Sequence, residues 1–239
     1  MNISLISILL LTATTALAGA AFQQGIDAYE NAEYAAASSA FQDAIDADES
    51  AAAHHNRALA LFQQGQPGQA AWHLERALLL APYNESYHFK LGALRQQLSL
   101  TAAPPKWYAL ASQALSQPGW ILLLSIAFWI TLAACWLPRA GGYPPNLPIK
   151  ALRIVGLLAL LAAASALTLN RHLPGKGIVL SESPTTLRAA PAAAAPQTGL
   201  ARPGERAQQT DQHGDYIQIK TEGGARGWVR AADYRRLLG

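Results

Sequence analysis

A chain of 239 residues with 51% hydrophobic and only 14% charged side chains has the composition of a small membrane protein with modest soluble parts. Its net charge of +3 averages two unlike ends, since residues 19–105 carry nine acids against four bases and residues 171–239 carry ten bases against six acids. Nowhere are Lys and Arg dense and interleaved with aromatics, which excludes nucleic acid as a partner, and the single cysteine, Cys135, excludes an intramolecular disulfide.

The first eighteen residues are an apolar run closing on Ala16-Leu17-Ala18. That is the small-x-small pattern read by signal peptidase, so residues 1–18 read as a signal peptide cleaved after Ala18. No Lys or Arg precedes the run, and an uncleaved membrane segment is the other reading. Either way the domain that follows is exported.

Residues 19–102 show helical periodicity rich in Ala, with an internal similarity at a spacing of 33 residues. The first unit carries Gly25, Ala28, Ala37, Phe41 and Ala44; the second carries Ala58, Gly65, Ala70, Leu74, Ala77 and Pro82. Small Ala at 37, 44, 70 and 77 lets paired helices approach, Phe41 and Leu74 fill the space between them, and Pro82 stops the second helix. These residues resemble the tetratricopeptide repeat, with Gln24, Arg57 and Pro67 departing from its usual residue types. The resemblance implies an all-α domain of about two and a half repeats, Asn84 to Leu98 being a first helix without its partner. On that pattern the first helix of each pair lines a concave face, which places Phe22, Ile26 and Tyr29, then His55, Leu59 and Phe62, then Phe89 along one apolar, protein-binding groove. The competing reading packs the same side chains against the membrane-proximal linker or the terminal helix. His54, His55, His73 and His88 match no metal-ligand spacing, so no metal is expected and they read as ordinary helix residues.

Residues 103–119 form an interfacial linker, opened by Ala103-Pro-Pro105 and carrying Trp107 and Tyr108 for the headgroup layer. Two apolar segments follow. Residues 120–137, without a charge, span about 27 Å as a helix, and residues 151–170 about 28 Å once Arg153 extends its guanidinium back to the interface. The loop between them, residues 138–150, carries Arg139 and Lys150 and no acid, which assigns it to the cytoplasm. The segments are therefore a two-helix transmembrane hairpin, and both soluble ends lie together on the exported side. Gly156 and the run from Ala162 to Ala166 offer a small-residue face for close packing. No intramembrane acid is present to carry transport.

From residue 176 to 239 short alternating segments are separated by Gly and Pro. Thr186-Leu187-Arg188, Pro203-Gly204, Gly214-Asp-Tyr216-Ile-Gln-Ile219, Gly227-Trp228-Val229 and Ala-Ala-Asp-Tyr234 resemble a bacterial SH3 domain, which implies a small all-β SH3-like barrel. Residues 189–201 read as an irregular loop. Tyr216, Trp228 and Tyr234 are either a surface that stacks on Pro-rich peptide or cell-wall glycan, or the filling of a small barrel core. No G-x-S-x-G, no Cys with a partner His, no H-E-x-x-H and no phosphate loop occurs in the chain, so neither an enzyme nor a cofactor is expected.

The order of signal peptide, helical repeats, paired membrane helices and SH3 domain resembles the BatE family of the Bat aerotolerance operons. That resemblance implies a non-catalytic membrane component working beside von Willebrand A-type Bat proteins and a MoxR-type ATPase in oxidative stress or envelope integrity. The expected function is a scaffold that binds other membrane or periplasmic proteins through its repeats. The alternative is a cell-wall tether whose SH3-like domain holds peptidoglycan. The opposite charges of the two soluble ends predict a weak, salt-sensitive contact between them.

Overall fold

The computed structural model describes residues 17–100, 111, 115, 117–142, 146–171 and 176–238. Most of the expected signal peptide and of the expected linker, with Trp107 and Tyr108, and part of the loop between the apolar segments lie outside them. The chain divides into two compact units: Met1–Ala103 with Gly175–Gly239, and Pro104–Pro174.

The first unit opens with helix α1, residues 17–30. Helices α2 (Tyr34–Ala47), α3 (Ala51–Gln63), α4 (Pro67–Leu80) and α5 (Glu85–Gln97) follow, joined by short turns. Each start has a local cause. The Ser50 hydroxyl accepts the Ala53 N–H and the Asn84 side chain accepts the Tyr87 N–H, both at 3.2 Å. Pro67, odd as a repeat residue, opens α4 where its missing N–H costs nothing. Gly65 ends α3 at φ 75°, a left-handed conformation that glycine adopts without strain. Successive helices pack on one another through two clusters. Phe41 sits against Ala28, Ala37 and Ala60, and Leu61, Leu74, Leu78, Leu91 and Leu94 form the second.

Seven strands follow: β1 (Lys176–Val179), β2 (Thr185–Arg188), β3 (Gln197–Ala201), β4 (Arg206–His213), β5 (Tyr216–Thr221), β6 (Arg226–Arg230) and β7 (Tyr234–Arg236). They form one antiparallel sheet in the order β3-β2-β6-β5-β4-β1-β7. The sheet curls around Val179, Leu187, Ala201, Ala207, Ile217, Ile219 and Val229, so strands from both of its ends share one core. Ile217 and Ile219 point inward and Tyr216 and Gln218 do not, as strand alternation requires. The expected irregular loop holds over 189–196 and is corrected over 197–201, where β3 pairs with β2. The Thr198 hydroxyl lies 3.2 Å from both the Leu187 and Arg226 carbonyls and shares its hydrogen between them, which ties the strand to β2 and β6.

The helices and the barrel are not two heads. Ile178 of β1 is fully buried inside the second helical cluster, where Leu98 and Leu237 join it. The α4 backbone at Gly68 lies so close to β1 that a Cβ there would stand 2.6 Å from the Leu180 carbonyl. The expected weak and salt-sensitive contact is therefore corrected to a shared apolar core, because uncharged surface supplies most of what is buried.

The second unit consists of α6 (Gln117–Ala140) and α7 (Leu147–Arg171). Within them Pro118–Pro138 and Leu147–Thr168, 21 and 22 residues, are long and apolar enough to cross a membrane. Both helices extend past the expected segments, since Pro148 is tolerated in a first turn and Pro138 near an end. Ala127, Ala134, Ala163 and Ala166 are buried between them, and Gly156 faces Thr131, where a Cβ would collide with the hydroxyl. This is close packing through small residues.

Candidate functional site

A cleft of about 220 Å³ opens on the barrel, lined by Thr185, Thr186 and Arg188 of β2, Tyr216 of β5, residues 228–230 of β6, and Asp233. The strand register composes it. Arg188 lies opposite Trp228 and Tyr216 opposite Arg230, so the register pairs each aromatic residue with an arginine on the neighbouring strand. Trp228 is only 8% exposed and contributes an edge to the cleft, while Tyr216 is half-buried. The Arg188 Nη1 donates to the Ala195 carbonyl at 3.0 Å, which holds that side chain in place. Among the described residues neither Arg188 nor Arg230 forms an ion pair with a carboxylate. The cleft thus offers two guanidinium donors, three hydroxyls, aromatic surface and one carboxylate, Asp233, a set that suits a ligand carrying carboxylates beside hydroxyls or amines on an apolar frame.

Tyr234 does not belong to this surface. It is 4% exposed, and its hydroxyl donates to the Ala207 carbonyl at 3.3 Å. Burial pushes its pKa up to about 12. Of the three aromatic candidates, Tyr216 and Trp228 meet in the cleft and Tyr234 completes the core.

The seven groove candidates fall into three settings. Phe22, Ile26 and Tyr29 come together, half-buried against the Phe41 cluster, with the Phe22 and Phe41 rings edge to face at 5.6 Å. Phe62 packs on the second cluster, Leu59 is half-buried, and His55 stacks on Tyr87 at 4.7 Å. Phe89 is 72% exposed.

A polar junction between helices and barrel escaped the sequence reading. Glu75 of α4 takes the Arg206 Nε and lies 3.5 Å from Arg95, which in turn pairs with Glu222. Trp72 donates its indole N–H to the Arg236 carbonyl at 2.8 Å, and Arg76 donates to the Leu237 carbonyl at 2.8 Å. Its cause lies in α4, where residues between Gly68 and Leu78 are buried on almost every side. A helix buried on so many faces needs a second partner, but Gln69, His73, Glu75 and Arg76 keep that from showing as an apolar run.

Among the described residues no group of three or more His, Cys, Asp or Glu is placed to hold a metal. No curated protein and no solved structure matches the chain. The family model of the bacterial SH3 domain matches residues 183–234, from the segment before β2 to the first residue of β7, and this barrel is a bacterial SH3 domain.

Proposed function

We propose that the chain is a non-catalytic, membrane-anchored binding protein that tethers the envelope to peptidoglycan through its SH3 cleft. The observation that carries this reading is the pairing of Arg188 and Arg230 with Trp228 and Tyr216 in one open cleft. Peptidoglycan presents peptide carboxylates beside sugar faces, and guanidinium groups and aromatic rings in one cleft match both. The two apolar helices supply the anchor, and the SH3 domain lies on the periplasmic face of the inner membrane. Full chain in detergent should co-sediment with purified sacculi, and Arg188→Ala with Arg230→Ala should weaken retention about tenfold or more. Wild-type protein left wholly in the supernatant overturns the tether.

A second reading keeps the helical array, taken as tetratricopeptide-type repeats, as a protein-binding scaffold in a Bat-type envelope complex with von Willebrand A-type partners. Exposed Phe89 on α5, with Leu80 at the end of α4, favours it. Replacing Phe89 with Ala should then abolish capture of such a partner and leave sedimentation with sacculi unchanged.

A further inference from the structure

Between α3, α4 and the end of the barrel runs a chain of hydrogen bonds, exposed at Glu49 and buried at its two histidines, that neither binding surface uses. Glu49, just before α3, takes both Arg76 Nε at 2.7 Å and Arg76 Nη2 at 2.9 Å. Its Oε1 also lies 3.0 Å from His54 Nε2, and His54 Nδ1 lies 2.8 Å from His73 Nδ1. Both histidines are 2% exposed. A carboxylate only accepts, so His54 carries its proton on Nε2 and leaves Nδ1 bare; His73 must then donate its Nδ1–H. Both rings are neutral in this arrangement, and the bare His54 Nδ1 is the atom at which an added proton would end the acceptance from His73.

The side chains that touch it also hold the barrel. The Trp72 ring packs edge to face on His54 and His73, with centroids 5.8 and 4.8 Å away, while its N–H holds the Arg236 carbonyl. The Arg235 guanidinium lies 4.7 Å above the same indole. Arg76, which grips Glu49, holds the Leu237 carbonyl with its other nitrogen. We propose that the Glu49–His54–His73 chain is an acid-sensitive latch that keeps the SH3 barrel seated on α4 at neutral pH and loosens it in acid.

A proton added at His54 Nδ1 sets two N–H groups against each other across 2.8 Å until His73 shifts its own proton to Nε2, and in either arrangement a charge is left among rings that are 2% exposed. A charge on either ring also meets Arg57 of α3; His54 faces Arg76 of α4 besides, and His73 faces Arg235 of β7. Glu49 opposes them, and Asp43 and Asp46 of α2 face Arg57. Burial, the largest cause, holds both histidines below their ordinary value of 6.5, whereas Arg76 first, with His54, keeps Glu49 down at about 2. A histidine whose pKa is depressed when docked contributes stability above 6.5 that is lost as pH falls below it, by up to tenfold in the docked-to-released ratio per pH unit and per histidine. Ordinary carboxylates keep their charge down to about pH 4.5. Between those limits the histidines respond and the carboxylates do not; His55, also held down by burial, adds to the response but touches Tyr87 of α5 and no part of the barrel's seat.

The test uses the full chain in detergent micelles. Nitrogen-15 spectra of the histidines at about pH 7.5 should show His54 as the Nε2–H form and His73 as the Nδ1–H form. Hydrogen exchange at Tyr234–Leu237 and along α4, corrected for intrinsic rate, should accelerate steeply between about pH 6.5 and about pH 5. His54→Gln offers Glu49 an amide N–H and His73 a carbonyl without titrating, and should reduce the pH slope from up to a hundredfold to at most tenfold per unit. The reverse tautomers, wild-type protection unchanged over that range, or a variant with the wild-type slope each overturn the latch. A variant that loses its helical signal leaves the decision to the two wild-type measurements.

Discussion

Pro138 has no amide hydrogen, so the carbonyl of Ala134, four residues earlier in α6, lacks its helical partner. The Arg153 Nε of α7 takes that place at 2.9 Å. In a low-dielectric layer an unpaired carbonyl is costly, and a charged donor supplies a stronger bond than a neutral one. The sequence suggested only that Arg153 extends toward the interface, because periodicity shows neither which carbonyl a proline orphans across a hairpin nor which side chain can reach it. The expected cost of Arg153→Leu is about 1 kcal/mol of hairpin stability. In a Pro138→Ala background, residue 138 can donate to Ala134 itself, and the same change should cost close to nothing. Unfolding in mixed micelles, read as a double-mutant cycle, checks this; an equal cost in both backgrounds would show that Arg153 acts through charge alone.

At the scale of elements, the junction of α4 with the barrel is what the sequence concealed. The helix start at Asn84 and the inward Ile217 and Ile219 were legible, because such patterns are local, whereas Pro67 reads in the sequence as a departure from the repeat and opens α4 instead. The role of Gly68 was not legible, since it depends on a strand more than a hundred residues away. Strand β1 and Arg236 and Leu237 lie outside the span matched by the SH3 family, and they carry the Ile178, Trp72 and Arg76 contacts with the helices. In an isolated helix Gly68→Ala would be neutral or stabilising, by up to about 1 kcal/mol. Here the new Cβ would meet backbone at Leu180 and Ser181, which cannot swing aside. The substitution should instead lower the thermal midpoint of the full chain, at a cost of about 1–3 kcal/mol. A raised midpoint would show that β1 is not seated there. Arg95→Met should cost about 3 kcal/mol, because Glu222 loses its guanidinium partner and Glu75 one of two. High salt should leave the midpoint nearly unchanged, since a node with Arg95 and Glu75 almost fully buried is poorly screened.

For the whole molecule, the shared core constrains topology more firmly than loop charge does. Residues before α6 and residues after α7 belong to one compact unit, with Ile178 enclosed by α3, α4 and α5. If α6 and α7 cross a bilayer, the chain must leave and return on the same side, because separating the flanks would expose Ile178, Leu74 and Leu91 and break the Arg206–Glu75 and Arg95–Glu222 pairs. The hairpin follows from the fold, and only its orientation rests on the basic residues between the helices. Alkaline phosphatase joined after Gly239 should therefore be active, and inserted near Asn146 inactive. Activity near Asn146 with silence after Gly239 would invert the orientation and leave the hairpin intact. Activity at both sites would mean that the helices do not both cross, and the anchor would have to be redrawn. Removing residues 175–239 offers a control independent of compartment. The remaining helices would present the emptied Ile178 site to water, at a cost of roughly 2–5 kcal/mol for that side chain alone, and proteolysis of the truncated chain should reach α4 and α5 much faster than in the intact protein.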